Sequence, residues 1–102
     1  MITCKNIGSY GRLGNQFFQY AALKSLALKN NYELGIPLDG THHNQQCLLK
    51  YFNLDCKEID SNHISKFLYK EEKEKYFNSK FYDLPDGVDI NGFFQHYDYF
   101  ND

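Results

Sequence analysis

The sequence lacks a long apolar run and an excess of basic charge. No apolar stretch approaches the roughly 20 residues that a membrane-spanning helix needs, and the mean hydropathy is −0.63. Eleven Lys and Arg against thirteen Asp and Glu give a formal net charge of −2, and the basic residues form no stripe that would hold a nucleic acid. We therefore expect neither a membrane span nor a nucleic-acid partner. The first residues also lack the charge-then-apolar order of a signal peptide, which makes a cytoplasmic location the default expectation and membrane association the alternative.

Cysteine is scarce and odd in number, and tryptophan is absent. Cys4, Cys47 and Cys56 show no C-x-x-C spacing, which favours thiols in a reducing compartment over a disulfide framework. These cysteines and four scattered histidines do not supply zinc ligands at a recognisable spacing, so no metal site is predicted. Nine Phe and nine Tyr in 102 residues predict an aromatic core in a single domain at most.

The first part of the chain predicts a βαβ unit. Residues 1–7 predict a short strand, residues 16–29 a helix with Asn15 as its N-cap, and residues 32–36 a second strand. Apolar residues surround this helix almost completely, which predicts burial on most of its sides. A βαβ unit predicts an α/β fold with a parallel sheet and a right-handed crossover. Its glycine loop would then lie at the carboxyl ends of the strands, where such sheets bind ligands.

Beyond residue 37 the patterns predict shorter elements. The predictions in chain order are a loop over 38–46, a helical turn over 47–52, a strand over 56–59, a helix over 61–70, a strand over 76–82, a turn over 84–87, a strand over 88–95 and the start of a helix over 97–100. The mixed charges of residues 70–75 predict a solvated helix face. Because the chain stops just after the start of a predicted helix, we expect it to be part of a longer protein.

The glycine loop has two interpretations from its residues alone. Gly8, Gly11 and Gly14 are spaced three apart, which differs from the dinucleotide fingerprint G-x-G-x-x-G, and no P-loop G-K-[ST] follows. One interpretation is a loop that binds an anion or a sugar phosphate at a helix N-terminus, with help from Arg12. The other is a tight strand-to-helix turn whose glycines serve packing alone. Composition and spacing leave both open.

Two segments of the chain resemble one enzyme family. Residues 11–21 are G-R-L-G-N-Q-F-F-Q-Y-A, which closely resembles the N-terminal signature G-R-L-G-N-Q-M-F-Q-Y-A of the α-1,2-fucosyltransferases, glycosyltransferase family 11. The one difference is Phe17 in place of Met. Residues 92–100, G-F-F-Q-H-Y-D-Y-F, are similar to the family's G-Y-[FW]-Q-x-x-x-Y-F segment. The two matches stand in the family's order and cover its N-terminal portion.

The resemblance implies a two-domain, GT-B-type glycosyltransferase with Rossmann-like halves, in which residues 1–102 are an incomplete, acceptor-side N-terminal domain. It implies transfer of L-fucose from GDP-β-L-fucose to the 2-hydroxyl of a galactose-terminated glycan, with inversion and without a metal or other cofactor. It also implies Asn15 as the catalytic candidate. The implied substrate-binding residues are Gly11, Arg12, Leu13, Gly14, Asn15 and Gln16.

The chain departs from the family pattern at the diphosphate site. The family's H-x-R-x-[GD]-[DT]-Y motif is absent, because no histidine has an arginine two residues later and Arg12 is the only arginine. The nucleotide-binding C-terminal domain is also absent, so the site would need that domain or a partner chain, and we expect this chain alone not to turn over substrate. One alternative is a non-catalytic, truncated sugar-binding or assembly module. Another is a stand-alone nucleotide-binding βα domain outside this family.

Overall fold

The fold is built on a five-stranded sheet in which neighbouring strands run parallel, which confirms the predicted α/β class and parallel sheet. The computed structural model describes residues 1–7, 13–37, 41–42, 45–46, 56–60, 63–71, 79–92, 94 and 99. In chain order the elements are β1 (Ile2–Thr3), α1 (Leu13–Asn30), β2 (Leu34–Ile36), β3 (Thr41–His42), β4 (Gln45–Gln46), β5 (Lys57–Glu58), β6 (Phe67–Lys70), a 3₁₀ helix (Ser79–Asp83) and β7 (Val88–Asn91). Within these residues, no helix combines the length and the apolar character that crossing a membrane requires.

The sheet has the order β5-β2-β1-β7-β6, which places β1 at its centre. The predicted βαβ unit is confirmed, since β1 and β2 flank α1 in sequence and pair in parallel, with Ile2 opposite Leu34. The next strand of this sheet, β5, pairs with β2 at one edge. The chain then crosses to the opposite edge to form β6, and β7 fills the position between β6 and β1. β1 therefore lies between β2, which follows it in the chain, and β7, which is distant from it in sequence.

The helix α1 starts earlier than predicted and is buried along one stripe only. Because α1 begins at Leu13, Asn15 lies inside the first turn, and the prediction of Asn15 as N-cap is wrong. Phe17 and Phe18 are 38% and 37% exposed, and Leu28 is exposed as well, so the prediction of burial on most sides is also wrong. The helix packs with one face on the sheet and the 3₁₀ helix. The buried residues follow the spacing of a single helix face: Gln16, Gln19, Ala22, Leu23, Ser25, Leu26 and Ala27.

The C-terminal end of α1 is capped by a left-handed residue. Asn31 has a φ of 58°, and the Tyr32 N–H donates to the Ala27 carbonyl at 2.9 Å, as in a Schellman motif. The Asn30 side-chain amide donates to the Tyr82 carbonyl at 3.0 Å, which joins the end of α1 to the 3₁₀ helix. The predicted end of the helix at Asn30 and Asn31 is confirmed.

The cap gives a first testable prediction. With φ at 58°, Asn31→Gly should raise the free energy of unfolding by about 0.5 kcal/mol, and Asn31→Ala should lower it by about 1 kcal/mol, because only glycine adopts this angle without steric cost. Urea unfolding followed by circular dichroism measures both values. An equal loss in the two variants would mean that the Asn31 side chain, rather than its backbone angle, maintains the cap.

The sheet face opposite α1 carries the connection from β5 to β6. Thr3 and Asp89 lie opposite each other on β1 and β7, and the Thr3 hydroxyl donates to Asp89 Oδ1 at 2.7 Å. The Lys5 N–H donates to the same oxygen at 2.8 Å. On the connection, Ser65 Oγ lies 3.2 Å from Thr3 Oγ1 and the His63 carbonyl accepts from Lys5 Nζ at 2.9 Å. The two bonds to Asp89 stabilise a carboxylate whose residue is only 3% exposed. The contacts of Ser65 and His63 attach the connection to the sheet.

The core on the α1 side centres on Phe81 of the 3₁₀ helix, which is fully buried. Its ring lies 5.8 Å from that of Tyr69, 5.4 Å from Tyr82, 5.7 Å from Phe94 and 5.0 Å from Tyr99, measured between ring centroids. Three of these contacts are edge-to-face, an arrangement that aromatic pairs prefer. The expected aromatic core is thus present between the helices and the sheet.

Several of the shorter predicted elements differ from the structure. Residues 67–70 form strand β6 rather than a helix, because their backbone pairs with β7 from Phe67 opposite Val88 to Lys70 opposite Asn91. Residues 79–83 form a 3₁₀ helix rather than a strand, and the predicted loop over 38–46 contains the antiparallel pair β3–β4. The strands predicted over 56–59 and 88–95 are confirmed in shorter form as β5 and β7. The predictions over 47–52 and 72–78, and that over 97–100 apart from residue 99, lie outside the described residues.

Candidate functional site

The first turn of α1 lies at the carboxyl edge of the sheet, because α1 follows β1 and runs back along the sheet to β2. Leu13, Gly14, Asn15 and Gln16 make up this turn. Most of the predicted substrate-binding residues are therefore adjacent on one helix turn. Gly11 and Arg12 lie outside the described residues.

The electrostatics of this turn favour a negatively charged group. The first N–H groups of a helix have no partner within the helix, and together with the helix dipole they carry partial positive charge. No acidic residue stands in the first turn of α1, so no carboxylate of that turn neutralises this charge. A phosphate or a developing oxyanion would be stabilised there.

Residues 14–16 of the turn differ in their exposure to solvent. Gly14 is exposed, and a Cβ added to it would meet no atom within 4 Å. Asn15 is half-buried and carries an amide that can both donate and accept hydrogen bonds. Gln16 is buried, so its side chain faces the interior. A ligand at this edge could therefore approach Gly14 and Asn15 directly.

The two segments that resemble the fucosyltransferases meet at the same edge. Gln19, from the first segment, donates through Nε2 to the carbonyl of Gly92, from the second, at 2.9 Å. Gln19 was not among the residues that the sequence pattern indicated as functional. Its spacing could have indicated that Gln19 is buried. Gln19, Leu23 and Leu26 are four and three residues apart, which places them on the same buried face of α1.

The described residues of the second segment have structural roles. Phe94 and Tyr99 are buried, and their rings meet edge-on with centroids 5.0 Å apart. Burial, reinforced by a hydrogen bond with Glu71, raises the pKa of Tyr99 far above its usual range, so the phenol stays neutral. Glu71 Oε1 also accepts from the Phe94 N–H at 3.2 Å. These contacts fix the course of the chain after β7.

A metal site and a second ligand site are the other possible kinds of functional site in this fold. In the described part of the chain, no three His, Cys, Asp or Glu side chains come together as metal ligands; metal independence remains a prediction. A cleft of about 320 Å³ lies between the C-terminal half of α1 and the beginnings of β2 and β5, lined in part by Lys24, Leu28, Tyr32, Cys56 and Lys57. It is at the opposite edge of the sheet from the first turn of α1.

Comparison with models of protein families, with curated proteins and with solved structures gave no match to this chain. The fold and the site define a class: an α/β protein with an all-parallel five-stranded sheet and a candidate ligand site at the carboxyl edge, next to the central strand β1. Ligands of open parallel sheets bind outside the carboxyl ends of the strands.

Proposed function

We propose that this chain is the acceptor-side, N-terminal domain of an α-1,2-fucosyltransferase of glycosyltransferase family 11, with a two-domain GT-B-type architecture. The observation that carries the proposal is the resemblance of residues 11–21 to the family signature, combined with the position of the first turn of α1 at the carboxyl edge of the sheet. The complete enzyme would transfer L-fucose from GDP-β-L-fucose to the 2-hydroxyl of a galactose-terminated glycan, with inversion.

The chemistry of this transfer matches what the turn can offer. The bond between the anomeric carbon of fucose and the phosphate oxygen breaks, and its electron pair leaves with GDP. The positive end of α1 would stabilise the negative charge that develops on the diphosphate. The Asn15 amide would hold the galactose hydroxyl in line with the anomeric carbon. The proton of that hydroxyl needs a base from outside this turn, which holds no acidic residue.

The alternative of an assembly module is favoured by a specific surface. Ile64, Phe67 and Leu68 are 87%, 49% and 71% exposed, and β6 is the last strand at its side of the sheet. Apolar side chains on an edge strand favour pairing with another chain or domain. A two-domain enzyme would also cover part of such a surface, so only a ligand-binding measurement separates the two functions.

A change at Gly14 tests the proposal by separating stability from binding. Because a Cβ at this position meets no atom within 4 Å, Gly14→Ala should raise the free energy of unfolding by about 0.5–1 kcal/mol through better helix propensity. The same methyl group would obstruct a ligand at the carboxyl edge and should weaken its binding at least about tenfold, as should the loss of the amide in Asn15→Ala. NMR titration of the chain with GDP-fucose and with methyl β-galactoside measures the binding.

Asn31→Gly is the matched control, because it also stabilises α1 but lies at the opposite end of the helix. Its affinity for both probes should equal that of the unchanged chain. If the unchanged chain does not bind methyl β-galactoside, or if Gly14→Ala and Asn15→Ala bind it as tightly as the unchanged chain, the proposed acceptor-side function is wrong.

A further inference from the structure

The chain leaves β7 through a strained turn. Gly92 has a φ of 156° and Phe94 a φ of 54°, and a positive φ is costly for a bulky residue such as phenylalanine. Backbone strain of this kind persists only where the surrounding contacts over-determine it, and it is frequent at functional sites. The contacts that hold this turn are therefore informative.

Two elements hold the turn from different sides. From the end of β6, the Glu71 N–H donates to the Asn91 carbonyl at 2.8 Å, and Glu71 Oε1 accepts from the Phe94 N–H at 3.2 Å. From α1, Gln19 Nε2 donates to the Gly92 carbonyl at 2.9 Å. The α1 contact is the one that links the turn to the helix carrying Gly14 and Asn15.

Within the described part of the chain, the Gln19 amide is hydrogen-bonded through its nitrogen but not through its oxygen. Its side chain is 1% exposed, and the Gly92 carbonyl fixes which end is the NH₂ group, since a carbonyl can only accept. Among the residues that the structure describes, Oε1 finds no donor. A buried amide oxygen without a donor is unfavourable and largely offsets the gain from the single bond. The amide therefore adds little net stability, which argues that it is present for the geometry it imposes.

We propose that Gln19 is a positioning residue that fixes the turn after β7 relative to the first turn of α1, and so sets the spacing between the two sides of a galactoside site. This inference rests on the proposed function. Gln19 would not touch the sugar, since its amide is enclosed between α1 and β7. It would act through Gly92 on one side and through the helix that presents Asn15 on the other.

The test compares Gln19→Met with Ser25→Ala in the full chain. Methionine preserves the length and approximate volume of the side chain but removes both the bond to Gly92 and the buried unsatisfied oxygen. Its melting temperature should stay within about 4 °C of the original. Affinity for methyl β-galactoside, measured by NMR titration, should fall about tenfold or more. Hydrogen exchange at the Phe94 amide should speed up about tenfold, because the turn loses one of its two anchors.

Ser25→Ala is the matched control. It removes another buried polar contact of the same helix face, the one between Ser25 Oγ and Tyr82 Oη at 3.2 Å, away from the carboxyl edge. It should change the melting temperature at least as much as Gln19→Met and leave both the affinity and the Phe94 exchange rate unchanged.

The outcomes separate this inference from the proposed function. Weaker galactoside binding in Gln19→Met, with unchanged binding in Ser25→Ala, supports a positioning role for Gln19. Unchanged binding in Gln19→Met, with measurable binding by the original chain, overturns the inference and leaves the proposed function intact. Equal weakening in both variants, in proportion to lost stability, also overturns it, because Gln19 would then be only structural. If the original chain does not bind the galactoside, the proposed function fails and the inference fails with it.

Discussion

Phe81→Ala should lower the free energy of unfolding by about 3–5 kcal/mol, the range for removing a fully buried phenylalanine ring. Phe81 is completely buried and contacts four other aromatic rings, with centroid distances between 5.0 and 5.8 Å. No neighbouring element can fill the space without moving α1 or the sheet. Since small domains have only roughly 5–15 kcal/mol of stability in total, this loss is a large share of the total. Urea unfolding followed by circular dichroism measures the loss.

Phe67→Ala is the control for this change, because it removes the same ring from a position that is half-exposed at the edge of the sheet. We expect a loss of about 1 kcal/mol or less there, as for most surface substitutions. Similar losses in the two variants would contradict the aromatic core centred on Phe81.

Gly92→Ala should lower the free energy of unfolding by about 2–4 kcal/mol, from backbone strain and a steric clash together. The φ of 156° is one that residues with a Cβ rarely adopt, and the added Cβ would lie 2.6 Å from Glu71 Cβ and 2.9 Å from its Oε1. Glu71 would have to move, which would break its bond to the Phe94 N–H. Thermal unfolding followed by circular dichroism, with the Phe94 amide observed by NMR, reports the global and the local effect.

The comparison with Gly14→Ala makes this prediction specific. Both changes replace glycine by alanine at the carboxyl edge of the sheet, but only at Gly92 does the methyl group meet other atoms. We expect the two variants to shift stability in opposite directions. A Gly92→Ala protein as stable as the original would contradict the strained geometry after β7.

The sequence predicted best those elements that local signals determine. The βαβ unit was predictable because β1, α1 and β2 follow one another in the chain and each contains a local run of apolar residues. The end of α1 was predictable because two consecutive asparagines interrupt that pattern, and Asn31 takes the left-handed angle that asparagine tolerates. In these cases the determining interactions lie within a few residues of each other.

Elements that depend on distant partners were not predictable in the same way. Ile64, Phe67 and Leu68 have helical spacing, yet Phe67 and Leu68 lie in β6, because strand β7 supplies the backbone partners. The position of the two phenylalanines of α1 was missed for a similar reason. Phe17 and Phe18 are partly exposed, whereas the polar Gln19 is buried because the Gly92 carbonyl offers it a partner.

The candidate site was predictable only in part. The position of the first turn of α1 at the carboxyl edge followed from the βαβ pattern, whereas the binding of a ligand there stays a prediction. The contribution of Gln19 required the structure, because Gln19 and Gly92 are 73 positions apart in sequence. No local pattern reveals a contact between residues so far apart.

The position of β7 in the sheet has a consequence for synthesis of the chain on the ribosome. β1 is made among the first residues, but its neighbour on one side is β7, and the Thr3–Asp89 contact joins residues 86 positions apart. Until residue 91 has left the ribosome exit tunnel, one edge of β1 therefore has no native strand to pair with. Such distant pairing slows folding and leaves strand edges exposed to aggregation in the meantime. The nascent chain should consequently depend on chaperones until β7 emerges.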